Sequence, residues 1–146
     1  MKVVLFCGGL GTRLRDYSES IPKPMVPIGR QPIVWHLMKY YAHFGHREFI
    51  LCLGYMGDVI RQYFLTDDAR RSHDEDWKIT FVDTGLHSSV GQRLKAVERY
   101  LANDEVFLAN YADGLSDLNL PDYLDHFERQ GRIASFLCVR PSQTFH

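Results

Sequence analysis

Three glycines, an arginine and a lysine carry the clearest chemical purpose in this 146-residue chain. Gly8-Gly9-Leu10-Gly11-Thr12-Arg13 follows directly on the apolar run Val3-Val4-Leu5-Phe6-Cys7, and Lys23 stands ten residues after Arg13 within Pro22-Lys23-Pro24-Met25. Glycines at a strand end let the main chain approach a bulky anion closely. A guanidinium grips phosphate oxygens as a planar fork, and an ammonium adds a compact second charge. The prolines flanking Lys23 restrict the backbone on both sides and predict an extended chain at its base. The combination predicts a cradle for a triphosphate or a sugar phosphate. A turn that merely reverses the chain would account for the glycines, but not for Arg13 together with a proline-flanked Lys23.

Two commoner phosphate loops do not fit. The dinucleotide fingerprint G-x-G-x-x-G fails because Gly9-Leu10-Gly11-Thr12-Arg13-Leu14 has leucine in place of the third glycine. The P-loop fails because the chain contains no Gly-Lys pair.

The elements that must position these residues alternate. After Val3–Cys7 as a first strand, Pro32 begins a helical stripe of Ile33, Val34, Leu37, Met38, Tyr41 and Phe44 that stops at Gly45. Phe49–Leu53 reads as a buried strand, Gly57–Leu65 as a short helix, and the charged stretch Thr66–Asp76 as an exposed loop. Lys78–Val82 reads as a strand, Gly91–Leu101 as a helix, Val106–Ala109 as a strand, Pro121–Gln130 as a helix closed by Gly131, and Ile133–Val139 as a last strand. The alternation predicts one α/β domain over residues 1–146, with an open, mainly parallel, Rossmann-like sheet and helices on both faces. Ligands of such sheets bind beyond the carboxyl ends of the strands. The loops Gly8–Lys23, Gly54–Met56, Asp83–Arg93 and Asn110–Asp117 therefore share one rim. On it, Asp113 precedes Gly114 directly after a strand, which suits an oxygen ligand for a hard cation held jointly with phosphates, in preference to the local turn that Asp-Gly also favours.

Composition bounds the rest. A net charge of −1 gives no footing for non-specific nucleic-acid or membrane binding. No apolar run approaches a membrane span, and the N-terminal run leads into Gly-Gly without a cleavable signal pattern, so a cytoplasmic protein is expected. Cys7, Cys52 and Cys138 each fall in an apolar strand candidate and read as small buried hydrophobes in a reducing compartment. His43 and His46 are spaced for a helical metal pair but lack a third ligand nearby, and read as a surface helix end.

GGLGTRL with PKPM, then Pro27-Ile28, Pro32-Ile33 and His36, resembles the sugar-1-phosphate nucleotidylyltransferases along the whole chain. Trp35-His36, Cys52-Leu53-Gly54-Tyr55, Val82-Asp83-Thr84-Gly85 and Gly91-Gln92-Arg93-Leu94-Lys95 point within that family to cytidylyl transfer onto glucose 1-phosphate. The resemblance implies a nucleoside triphosphate and a sugar 1-phosphate as partners, CTP and glucose 1-phosphate first, with Mg²⁺ as cofactor and a homo-oligomer left open. Specificity for UTP, dTTP or GTP on the same fold, and a non-catalytic nucleotide-sugar-binding module, are the alternatives. The resemblance implies catalytic roles for Arg13 and Lys23. It places Gly8, Gly9, Gly11, Thr12, Arg13, Arg93 and Ala112 at the nucleotide and Asp113 on the metal. It also implies that the chain is the N-terminal portion of a longer domain, whose second metal aspartate lies beyond His146. Three departures from the family pattern stand out. Cys7 replaces alanine, Ala112 replaces the glycine before the metal aspartate, and Val90 and Gln92 replace threonine and glycine before Arg93. Gln92 is expected to offer an amide for base recognition in place of the lost hydroxyl.

Overall fold

The computed structural model describes residues 1–9, 21–66 and 76–138, which fall into two compact units, Met1–Leu115 and Ser116–His146. In the first unit a four-stranded parallel sheet forms around β1 (Lys2–Phe6). β1 is central because it is apolar on both faces: Val3, Val4 and Leu5 are all fully buried. On one side it pairs with β4 (Glu48–Leu53), which in turn pairs with β5 (Lys78–Asp83). On the other side it pairs with β6 (Leu108–Tyr111), giving the order β5-β4-β1-β6.

The chain thus steps outward from β1 to β4 to β5 and then returns to the far side of β1. The helices follow this reversal. α1 (Ile33–His43) and α2 (Gly57–Leu65) connect the outward steps and lie on one face. Trp77 bridges Trp35 of α1 to Phe49 of β4, and Phe64 of α2 packs on Phe81 of β5. α3 (Val90–Leu101) connects the return step and lies on the opposite face, where Val97 and Leu101 pack on Val4, Ile50 and Cys52. A fixed hand of crossover requires this change of face when the direction of travel across the sheet reverses. The expected open parallel sheet with helices on both faces is therefore the observed one.

Two features near the N-terminus were not expected. Pro27–Ile28 (β2) and Gln31–Pro32 (β3) form a small antiparallel hairpin, turning at Gly29 with φ 65°. The His36 ring nitrogen Nε2 lies 2.9 Å from the Ile28 carbonyl, which fastens the hairpin to α1. Lys23–Met25 forms a turn of 3₁₀ helix rather than an extended segment, closed by Met25 N–H donating to the Pro22 carbonyl at 2.8 Å. Pro24 is tolerated there because the first positions of a helical turn have no partner for an N–H group.

The second unit contains α4 (Leu120–Gln130), ended by Gly131 with φ 56°. The strand expected over Ile133–Val139 is not found: Ile133–Cys138 pair with no strand, and Ile133 is fully exposed. An apolar run predicts a strand only where a sheet edge receives it, so apolar composition over this stretch does not by itself make one. The burial expected of Cys138 fails with it, because Cys138 is exposed.

Cys7 and Cys52 are fully buried free thiols. Burial pushes the Cys52 thiol up to about 11, opposed by the Arg93 charge, and pushes Cys7 higher still. Both thiols therefore stay protonated and shielded at pH 8, so titration with an aromatic disulfide should count one thiol in the native protein, Cys138, and three in denaturant. A native count of two or three would contradict the packing of β1 against β4.

Candidate functional site

Strand register brings four loops to one point. Phe6 pairs with Cys52 on one side and with Tyr111 on the other, and Leu53 pairs with Asp83. The strands therefore end level, and pairing continues a step past each end. Cys7 N–H donates to Cys52 O at 3.0 Å, Thr84 N–H to Leu53 O at 3.0 Å and Ala112 N–H to Phe6 O at 3.3 Å. Between β1 and β6, where the strand order reverses, adjacent loops diverge and leave a crevice. An open cleft of about 850 Å³ occupies this position. Its walls are Phe6, Cys7 and Gly9 at the end of β1, Lys23 and Pro24, the segment 86–90 with Arg93, and Tyr111–Gly114.

Arg93 lies beneath this rim, 4% exposed, and its two terminal nitrogens reach four oxygens. Nη1 donates to Leu53 O at 3.1 Å and to Thr84 Oγ1 at 2.6 Å. Nη2 donates to Gly8 O at 3.0 Å and to Leu86 O at 3.2 Å. One guanidinium thus ties together the ends of β1, β4 and β5. Among the described residues, no carboxylate pairs with it.

This packing explains two glycines by space rather than by backbone angle. Neither Gly8 nor Gly54 has a positive φ. A Cβ on Gly8 would lie 2.1 Å from Arg93 Nη1, and one on Gly54 would lie 2.7 Å from Gly8 O and 2.9 Å from Arg93 Nη1. Gly9 differs, because a Cβ there would meet nothing within 4 Å. Gly8 thus makes room for the arginine, and Gly9 faces the open cleft.

Across the cleft, Asp113 sits in the turn that follows β6. Gly114 N–H donates to Tyr111 O at 3.1 Å, and Asn110 Nδ2 reaches both Gly114 O at 3.0 Å and Tyr41 Oη at 3.1 Å. Gly114 is required here, since a Cβ would lie 2.6 Å from Asn110 Oδ1. The Asp113 carboxylate forms an ion pair with Lys23. Two residues ninety positions apart, expected as lysine and carboxylate of one site, are thus in contact.

Of the residues expected from sequence, Gly8, Gly9, Lys23, Arg93, Ala112 and Asp113 gather at this rim, whereas Gly11, Thr12 and Arg13 lie outside the described residues. Ala112 is buried, with its methyl group in the cleft wall. Gln92 does not project an oxygen toward a ligand. Its Oε1 accepts from Ser89 N–H at 2.7 Å while Ser89 Oγ accepts from Gln92 N–H at 3.3 Å, a reciprocal cap that starts α3. The spacing Ser89-Val90-Gly91-Gln92 carries that capping signal in the sequence. Thr84, Asn110 and Gly54 were not singled out from sequence. Thr84 stood in the sequence only as part of Val82-Asp83-Thr84-Gly85, and its own role follows from the burial of Arg93.

The profile of the family described as nucleotidyl transferase matches residues 2–144. The chain is 40% identical to a glucose-1-phosphate cytidylyltransferase of Salmonella typhimurium, covering 99% of this chain and 63% of the relative. It is 34% identical to a D-glycero-alpha-D-manno-heptose 1-phosphate guanylyltransferase of Campylobacter jejuni, covering 91% of this chain and 62% of the relative. Among solved structures it resembles HddC of Yersinia pseudotuberculosis in complex with GMP-PN, with a TM-score of 0.67 at 29% identity, covering 86% of this chain and 53% of that one. The chain thus spans somewhat more than half the length of the relatives it matches.

The steric contrast between adjacent glycines is directly testable. Gly8→Ala must displace the guanidinium from buried acceptors, so urea unfolding should show a loss of about 2 kcal/mol or more. Gly9→Ala should stay within about 0.5 kcal/mol of the parent. Equal stability of the two variants would contradict the placement of Arg93 against Gly8.

Proposed function

The chain belongs to the nucleotidyl transferase family, and from that premise we propose that it provides the nucleotide-binding half of a site that joins a nucleoside triphosphate to a hexose 1-phosphate. CTP and glucose 1-phosphate are the first substrates to test, since the Salmonella relative at 40% identity carries the name of that activity. The observation that carries the reading is the cleft at the reversal of strand order, with Lys23 and Asp113 meeting on its wall.

In the proposed reaction an oxygen of the sugar phosphate attacks the α-phosphorus of the triphosphate. A new P–O bond forms, the bond from the α-phosphorus to the bridging oxygen breaks, and that oxygen leaves with pyrophosphate. The attacking phosphate is already ionised near neutral pH, so charge neutralisation and in-line placement do most of the work. Gly8, Gly9, Gly11 and Thr12 would line the nucleotide, and Ala112 would bound the space for its sugar. Arg13 would hold the leaving phosphates, Lys23 the phosphate under attack, and Arg93 would add positive charge below the same floor.

Asp113 fits a role toward Mg²⁺. It is a partly exposed carboxylate on the cleft wall, and its contact with the Lys23 ammonium marks the position as one that favours a cation. Among the described residues there is no cluster of three or more His, Cys, Asp or Glu able to hold a metal without the substrate. That suits an ion carried largely by phosphates with one or two protein carboxylates. Such an ion would neutralise phosphate charge. Cytosine is the first base assigned, with UTP, dTTP and GTP as the alternatives, a guanylyl activity being named for the 34% identical relative. With Gln92 Oε1 committed to its cap, the 86–90 segment is the nearest wall for a base.

The test, made on a chain of the relatives' full length, is pyrophosphate release from each of CTP, UTP, dTTP and GTP with glucose 1-phosphate and Mg²⁺. Release with CTP is expected. Lys23→Ala and Asp113→Asn should each lower it by about a hundredfold or more while the fold persists. Release with UTP and none with CTP would overturn the base assignment. Triphosphate binding without release from any of the four would favour a binding module.

A further inference from the structure

We propose that Arg93 is a positioning residue for nucleotide binding: its four terminal hydrogen bonds fix where Gly8 and the Leu86 segment stand, and affinity depends on it by that route. The proposal rests on the reading of the cleft as a nucleoside triphosphate site.

The donor count supports it. A guanidinium has five N–H groups, four of them on the terminal nitrogens. Those four are matched by four protein oxygens, on Leu53, Thr84, Gly8 and Leu86. A ligand could take one of them only by displacing a protein oxygen, three of the four bonds being buried. Three of the four acceptors are main-chain carbonyls, so the bonds constrain backbone rather than side chains. The surroundings are also fitted to the guanidinium, since Gly8 and Gly54 both lack the Cβ that would collide with it. Gly8 is bonded to Arg93 and adjoins Gly9, which faces open cleft. Leu86 is bonded to the same Arg93 Nη2 and begins the 86–90 segment that also lines the cleft. The arginine therefore sets where Gly8 and the Leu86 segment stand relative to each other.

Thr84 allows this to be tested without touching the ligand. It is buried, it is absent from the cleft wall, and its hydroxyl makes the shortest of the Arg93 contacts at 2.6 Å while donating to Leu53 O at 2.7 Å. Thr84→Val keeps the shape and removes both bonds. Calorimetric titration of the four triphosphates into the parent, Thr84→Val, Arg93→Lys and the double variant would measure affinity. Thermal melting would confirm that each is folded.

Thr84→Val should weaken binding of the preferred triphosphate about tenfold, Arg93→Lys should weaken it further, and the double variant should bind no worse than Arg93→Lys. In turnover, Thr84→Val should raise the triphosphate KM and retain kcat. A loss of folded protein alone would instead lower kcat and leave KM unchanged. Wild-type affinity in Thr84→Val with loss in Arg93→Lys would overturn the proposal in favour of direct contact. Additive losses in the double variant would overturn it as well. Parent protein that binds none of the four triphosphates would overturn the nucleotide reading, and the proposal with it. That outcome is distinguishable because it appears before any variant is made.

Discussion

One buried cation holds three strands level at the place where the site opens. A buried guanidinium requires that its donors be met, and the strand ends supply oxygens that face inward once the ladder stops. The two requirements satisfy each other. Arg93 takes the carbonyls of Gly8, Leu53 and Leu86, which lie beyond or at the last ladder bonds. Remove the arginine and each of those oxygens loses one bond, although Leu53 O keeps Thr84 N–H at 3.0 Å and Gly8 O keeps Tyr55 N–H at 3.4 Å. Fill the space with a side chain at Gly8 or Gly54 and the arginine has nowhere to go. That no carboxylate pairs with it among the described residues matters too. A paired arginine would present a neutral floor, whereas this one leaves a positive charge under a cleft that a polyanion could enter.

The glycine-rich loop therefore does two jobs at adjacent residues. Gly8 belongs to the protein's own frame, and Gly9 opens on the space above it. On the other wall the same division appears between Gly114, which accommodates Asn110, and Asp113, whose carboxylate reaches the cleft. In both places a glycine supports the frame and its neighbour faces outward. At the described residues Gly8 and Gly114 the main chain is held by its own neighbours, so the residue beside each can come close to a ligand.

Much of this was legible in the sequence, and the parts that were not share a cause. The alternation of Val3–Cys7, Phe49–Leu53 and Lys78–Val82 with helical stripes was enough for a parallel sheet, because burial on both faces leaves continuous apolar runs. Lys23 and Asp113 were both marked for one site, since local context identifies each. The role of Arg93 was not legible, because it depends on three main-chain carbonyls, and a carbonyl carries no sequence signature. Thr84 and Asn110 escaped for the same reason: each matters through what it orients. The Ile133–Val139 run misled because strand propensity says nothing about whether a sheet edge is there to receive it. Lys23 misled in backbone but not in place. Its prolines were read as holding an extended segment, while a 3₁₀ turn uses Pro24 at a position where no N–H is needed.

The charges of Lys23 and Asp113 offset each other when nothing stands between them. Both side chains are partly exposed, so the contact contributes on the order of 0–1 kcal/mol and costs little to open. A triphosphate with its cation offers each partner a replacement of matching sign. Lysine can turn to phosphate, and aspartate can turn to the ion. An anion alone would leave Asp113 unpaired and repelled, and a cation alone would do the same to Lys23. Charge balance across this one contact thus favours a ligand that brings both signs together, which is what a metal-bound nucleotide does. The frame below holds still while the pair above it exchanges partners, so the rigid and the exchangeable parts of the site are separated by a single layer of backbone.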